Sequence, residues 1–94
     1  MKQYDVEQLL IDVVREIQEL SGRHVAALTG ASRPILDMPG FDSLNGVEAT
    51  VEVIDRLDSQ LTFNNVFVEN GAALTIQQAA ARLLTVLGPS LRDN

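Results

Sequence analysis

Gly40-Phe41-Asp42-Ser43-Leu44, followed by Val47-Glu48 and then Glu52 and Asp55, is the stretch on which both fold and function turn. Asp42 is a helix cap by type, because its carboxylate accepts from the free N–H groups of a first helical turn. A helix is therefore expected over 43–58. Stepping round it at 100° per residue, Val47, Val51, Ile54 and Leu57 fall on one side. Glu48, Glu52 and Asp55 share another, with Asp58 near the boundary. Ser43 stands at the helix start, and Leu44 projects beside the acidic stripe, an exposed leucine next to a presented serine.

Three chemistries compete for Ser43. A hydrolase elbow reads Gly-x-Ser-x-Gly after a strand, whereas here the glycine lies three residues before the serine and Leu44 follows it. The chain's one histidine, His24, lies in a loop, so a catalytic triad has little to draw on. Ser43 is also a good capping residue, but Asp42 already fills that role and leaves the hydroxyl to point outward. Covalent modification is the third reading. A phosphodiester at this position would meet the unpaired N–H groups and positive dipole end of the helix. No metal site is read here, since acids along one face of one helix would leave a divalent cation mostly water-coordinated. That face is equally compatible with simple solvation and with docking.

Working outward, Val6, Leu9, Leu10, Val13, Ile17 and Leu20 recur at helical steps, predicting a first helix over 5–20. Asp5 with Gln8 fits its start and Ser21-Gly22 its stop. Residues 21–41 show no period; Pro34 and Pro39 disfavour a continuous helix, although Val25–Leu28 has the composition for a single turn. Ile35, Leu36 and Met38 are expected to pin this long loop to the core. In 59–74, Leu61-Thr62-Phe63 and Val66-Phe67-Val68 around Asn64-Asn65 suit a small hairpin, but a short helix over 65–70, capped by Asn64 and ended by Gly71, is favoured because an isolated hairpin is marginal. A last helix is expected over 76–87. Thr75 and Gln78 form its capping box, Ile76, Ala79, Ala80, Leu83, Leu84 and Leu87 its packing face, and Gly88-Pro89 its stop. Residues 89–94 are expected to fray. The whole, 1–94, reads as one all-α domain of four helices.

The 94 residues carry a formal charge of −6, which lacks the basic footprint of nucleic-acid binding and favours basic patches on protein partners. There is no cysteine, so neither a disulfide nor a thiolate metal site can form. No apolar run follows the first lysine and no stretch approaches a membrane span, so the expectation is a cytoplasmic monomer with no membrane attachment.

The quoted stretch resembles the Gly-x-Asp-Ser-Leu-x-x-Val-Glu signature of the acyl carrier proteins, the phosphopantetheine-binding carrier domains. Leu74-Thr75-Ile76-Gln77-Gln78-Ala79 is similar to the start of that family's last helix, and the order of elements also fits. The resemblance implies an acyl-carrier-protein-like four-helix bundle with a long first loop and a short third helix. It implies that Ser43 takes a 4′-phosphopantetheine arm from coenzyme A, attached by a Mg²⁺-dependent phosphopantetheinyl transferase. The arm's thiol then carries acyl groups as thioesters in fatty-acid, polyketide or related biosynthesis, and the chain is not itself an enzyme. Asp42, Leu44, Glu48, Glu52 and Asp55 match partner-recognition positions for acyl-transferring or condensing enzymes. Val47, Val51 and Ile54, with Val66 and Phe67, match an apolar cleft for the acyl chain. Asn45 stands where an acid is frequent, Gly46 weakens the helix, Arg56 interrupts its acids and Pro39 replaces an apolar residue. These departures point to a specialised carrier. The rival expectation is an unmodified helical interaction module docking through its acidic second helix.

Overall fold

Amphipathic spacing and strong caps fix the longest elements. The computed structural model describes residues 2–23, 25, 27–58 and 63–87, for Leu87 the backbone alone. Helix α1 (Gln3–Leu20) begins two residues earlier than expected, because the Lys2 N–H donates to the Asp5 carboxylate at 2.9 Å and sets the first turn there. Gln8 takes no part in that cap; its amide donates to Asp12 one turn on. Ser21 closes the helix, and Gly22 follows with φ +69°, the left-handed position that glycine occupies without a Cβ penalty. Val6, Leu10, Val13 and Val14 are fully buried along its inner face, with Leu9 and Ile17 packed at its edge. Leu20, the last residue of the helix, lies outside that face at 89% exposure.

Helix α4 (Ile76–Leu87) has the expected bounds. Its capping box is complete: the Gln78 N–H donates to Thr75 Oγ1 at 3.0 Å and the Thr75 N–H to Gln78 Oε1 at 2.9 Å. Two further orphan donors of its first turn go to the long loop, Ile76 N–H to the Ser32 carbonyl and Gln77 N–H to the Gly30 carbonyl, each at 2.9 Å. Ile76, Ala79, Ala80, Leu83 and Leu84 all face the core. Helix α1 packs against both α4 and α3 (Ser43–Arg56) and is the central member of the helical layer.

The loop between α1 and α3 contains one helical turn, α2 (Pro34–Asp37), with proline at its first position where a missing N–H costs nothing. Val25, Ala27 and Leu28 are not helical, so the single turn lies some nine residues later than the composition of Val25–Leu28 suggested. Met38 is buried and Ile35 packs at the core's edge, but Leu36 points outward. The loop is tied down again where the Gln18 amide, itself fully buried, donates to the Pro39 carbonyl at 2.9 Å.

The segment after α3 departs most from expectation. No helix forms over 65–70. Two short antiparallel strands, β1 (Val68–Glu69) and β2 (Ala72–Ala73), pair Val68 with Ala73 and Glu69 with Ala72. Asn70 and Gly71 turn between them with φ +52° and +79°, the positive pair that a two-residue hairpin of type I′ demands. Of the alternative hairpin about Asn64-Asn65, Leu61 and Thr62 lie outside the described residues, while Phe63, Val66 and Phe67 are not in a strand and Val66 and Phe67 are buried core residues. Among the described residues the fold is thus mainly helical, with four helices and one two-stranded sheet. The hairpin is not isolated, because Arg82 of α4 donates to the carbonyls of Asn65 at 3.1 Å and Val68 at 2.8 Å while its guanidinium lies 4.8 Å above the Phe63 ring. No helix among the described residues is long and apolar enough to cross a membrane. His24 and the tail from Gly88 lie outside the described residues.

Candidate functional site

Ser43 is the first residue of α3 and is exposed. Asp42 caps the helix as its residue type predicts, its Oδ1 accepting from the Asn45 N–H at 3.1 Å. Asn45 returns the contact, its Oδ1 accepting from the Asp42 N–H at 3.2 Å. The two side chains form a reciprocal box that satisfies the turn without the serine, whose hydroxyl has no hydrogen-bond partner among the described residues.

Asn45 does more than replace an acid. It is buried, its Oδ1 also accepts from Arg23 Nη1 at 3.1 Å, and its Nδ2 donates to Glu48 at 3.1 Å. Arg23 reaches it from the end of α1 by crossing Gly40, where an added Cβ would stand 2.8 Å from the arginine's Cδ and Nε. Gly40 also holds φ +74°, a backbone conformation that favours glycine, and any side chain there would displace Arg23. On the far side, Asn65 Nδ2 donates to the Ser43 carbonyl at 3.1 Å, and Phe41 meets Phe67 edge-on with ring centres 6.1 Å apart. Ser43 therefore sits free on a turn that is fastened to α1, to the post-α3 loop and to the core.

Helix α3 is rotated from its expected setting. Gly46, Ala49, Thr50 and Val53 are its buried face, joined by Leu57 at its C-cap. Small residues occupy the seam because protein atoms fill it closely. Asn65 lies against Gly46, and the Thr50 hydroxyl donates to the Gly46 carbonyl at 2.7 Å while accepting from the Val66 N–H at 2.9 Å. The predicted acyl cleft is thereby divided: Val66 and Phe67 are fully buried, Val47 and Ile54 are half-buried, and Val51 is 62% exposed. These five residues thus differ in burial, from the closed core to open surface.

The predicted docking residues do share a surface. Leu44 is 68% exposed, Val51 is also exposed two turns further along the helix, and Asp42, Glu48 and Asp55 are open to solvent. Glu52 is half-buried and accepts from Arg56 Nε at 2.8 Å. Arg56 also grips Glu16 of α1 at 2.6 and 3.2 Å, which holds the Glu16 carboxyl below its ordinary range, and Glu16 and Glu52 together hold the guanidinium above its own. The acidic stripe is thus partly neutralised at its Arg56 end and open at its Ser43 end. No family model matches the chain, and comparison with curated proteins and with solved structures finds no match to either. Among the described residues no group of three or more His, Cys, Asp or Glu side chains is placed to hold a metal ion.

Sequence reasoning missed Arg23, Asn65 and Arg82, whose partners lie 14 to 22 residues away and carry no local pattern. The turn at Asn70-Gly71, in contrast, carried a strong hairpin signal in its two residues.

Proposed function

We propose that this chain is a discrete acyl carrier protein, modified at Ser43 and non-catalytic by itself. The observation that carries the reading is the free, exposed Ser43 hydroxyl on a helix start already capped by Asp42 and Asn45. A hydroxyl that caps nothing and is hydrogen-bonded to no base among the described residues suits a substrate for another enzyme better than a nucleophile of its own. The group fits the site: the oxygen is reachable, and the first turn behind it offers a positive dipole end to a phosphodiester. In the transfer, Ser43 Oγ forms the new bond to the β-phosphorus of coenzyme A. The bond to the 3′,5′-adenosine bisphosphate leaving group breaks, and the serine proton passes to the transferase. Once attached, the arm supplies a thiol that the cysteine-free chain lacks.

A long helix, a long loop, a serine-headed helix and a final helix keep the order of a carrier bundle, with a hairpin where a short third helix was expected. Leu44, Val51, Glu48 and Asp55 then form the face offered to a phosphopantetheinyl transferase and to acyl-transferring or condensing enzymes with basic docking patches. That same face favours a second reading, an unmodified module docking through α3.

Intact-mass measurement after incubation with coenzyme A and a broad-specificity phosphopantetheinyl transferase separates the two. A gain of one phosphopantetheine, lost in Ser43→Ala, is expected; folded protein that gains no mass, or gains it in Ser43→Ala, sinks the carrier reading.

A further inference from the structure

We propose that Asn70 is a site of spontaneous modification, converted to aspartate and isoaspartate through attack by the Gly71 nitrogen, at a rate set by opening of the hairpin that Arg82 holds. The reaction is the same whether or not Ser43 carries an arm.

The chain has Asn-Gly at two places, 45–46 and 70–71, and glycine, lacking a Cβ, is the successor that least obstructs such an attack. The fold treats the two steps oppositely. Asn45 is buried, its Oδ1 accepting from the Asp42 N–H and Arg23 and its Nδ2 donating to Glu48. The Gly46 N–H donates to the Asp42 carbonyl at 3.0 Å, so both reacting groups are engaged inside α3. Asn70 and Gly71 are exposed, and nothing lies within 4 Å of a Cβ placed on Gly71. Neither the Asn70 side-chain amide nor the Gly71 N–H has a hydrogen-bond partner among the described residues.

The closed turn still restrains the reaction. Ring closure requires the Gly71 nitrogen to swing towards the Asn70 side chain, away from the left-handed ψ of about +47° that a type I′ turn imposes. That swing breaks the pairing of Glu69 with Ala72, in strands only two residues long. Arg82 is the clasp, donating to the carbonyls of Asn65, Val66 and Val68 and lying 3.7 Å from the Glu69 carboxylate.

In the open turn the Gly71 nitrogen gives its proton to solvent and bonds to Asn70 Cγ. The Cγ–Nδ2 bond breaks, and ammonia leaves with a proton from solvent. Water then adds to either carbonyl of the succinimide and cleaves that carbonyl's bond to the ring nitrogen, which regains a proton. Opening at the main-chain carbonyl gives isoaspartate, whose extra methylene in the main chain no longer fits a two-residue turn. Either product places a new negative charge beside Glu69.

The test incubates the intact chain in mildly alkaline buffer and follows the gain of one mass unit per amide lost, with peptide mapping to separate positions 45 and 70. In the folded chain Asn70 should react about tenfold or more faster than Asn45, and in urea the two rates should converge. Asn70→Gln should remove the fast gain. Arg82→Met should speed Asn70 by about fivefold or more and leave Asn45 slow. Asn45 reacting as fast as Asn70 in the folded chain, or no gain at Asn70 while the urea-unfolded chain reacts, overturns the site. An unchanged rate in Arg82→Met, or equal acceleration at both asparagines, overturns the hairpin as its gate.

Discussion

Asn65 occupies the space that any side chain at position 46 would need: a Cβ on Gly46 would lie 2.6 Å from Asn65 Nδ2 and 2.7 Å from its Oδ1. By propensity alone Gly46→Ala should stabilise an exposed helix interior by about 1 kcal/mol. Here the displaced amide loses its bonds to Ser43 and Phe67, each worth about 1 kcal/mol, so a net destabilisation of about 1 kcal/mol is expected. Urea unfolding of Gly46→Ala, Asn65→Ala and the double variant checks this. With Asn65 truncated the alanine should become neutral or stabilising; additive effects would show that the two positions do not compete for space.

The division of labour between Asp42 and Ser43 predicts opposite behaviour under truncation. Asp42→Ala should lose about 1 kcal/mol of stability, and Asp42→Asn should retain most of it. Ser43→Ala should stay within about 0.5 kcal/mol of the parent in thermal or urea unfolding. A large loss in Ser43→Ala would make the serine a structural cap after all.

Arg82 joins α4 to the hairpin, and nothing else of comparable reach does so among the described contacts. Arg82→Met keeps the aliphatic stem but strips a donor from three backbone carbonyls, those of Asn65, Val66 and Val68, and should cost about 1–3 kcal/mol. Hydrogen exchange should localise the effect. The Val68 and Leu74 amides, which bond to Asn65 and Phe67 within the hairpin, should lose protection well before those of α1.

The Glu16–Arg56 pair gives a pH dependence of defined sign. The bond to Arg56 lowers the Glu16 pKa in the folded state, so the folded protein binds its proton less readily than the unfolded chain. The associated stability is fully present above the ordinary carboxylate value of 4.5 and fades as pH falls through the lowered one. Since the pair is solvent-facing, the effect should be small and weaken in salt. Comparing Glu16→Gln with the parent from pH 7 to pH 3, the parent's advantage should shrink towards zero. An advantage that grows in acid would contradict the pairing.

What was legible in the sequence followed the range of each interaction. The Asp42 cap, the Thr75 capping box and the inner face of α4 depend on residues three or four apart, and their types announce them. The setting of α3 was misread because its aliphatics were assumed to face inward. The seam around Asn65 and Thr50 instead admits only Gly46, Ala49 and a hydroxyl, and turns Val51 out. The hairpin was misread because its strands are two residues long, too short for an alternating pattern, although Asn70-Gly71 announced the turn. Arg23 over Gly40 has no sequence signal, since only the completed fold brings the end of α1 to the head of α3.

That last contact sets the timing of order. Because Arg23, Gly40 and Asn45 lock the serine-bearing turn as the chain folds, any enzyme acting on Ser43 meets a surface already in its final shape. The freedom of the turn at 40–45 is surrendered at folding and not at encounter. Recognition then becomes a matter of rigid-body approach, governed by collision and charge rather than by a loop waiting to close.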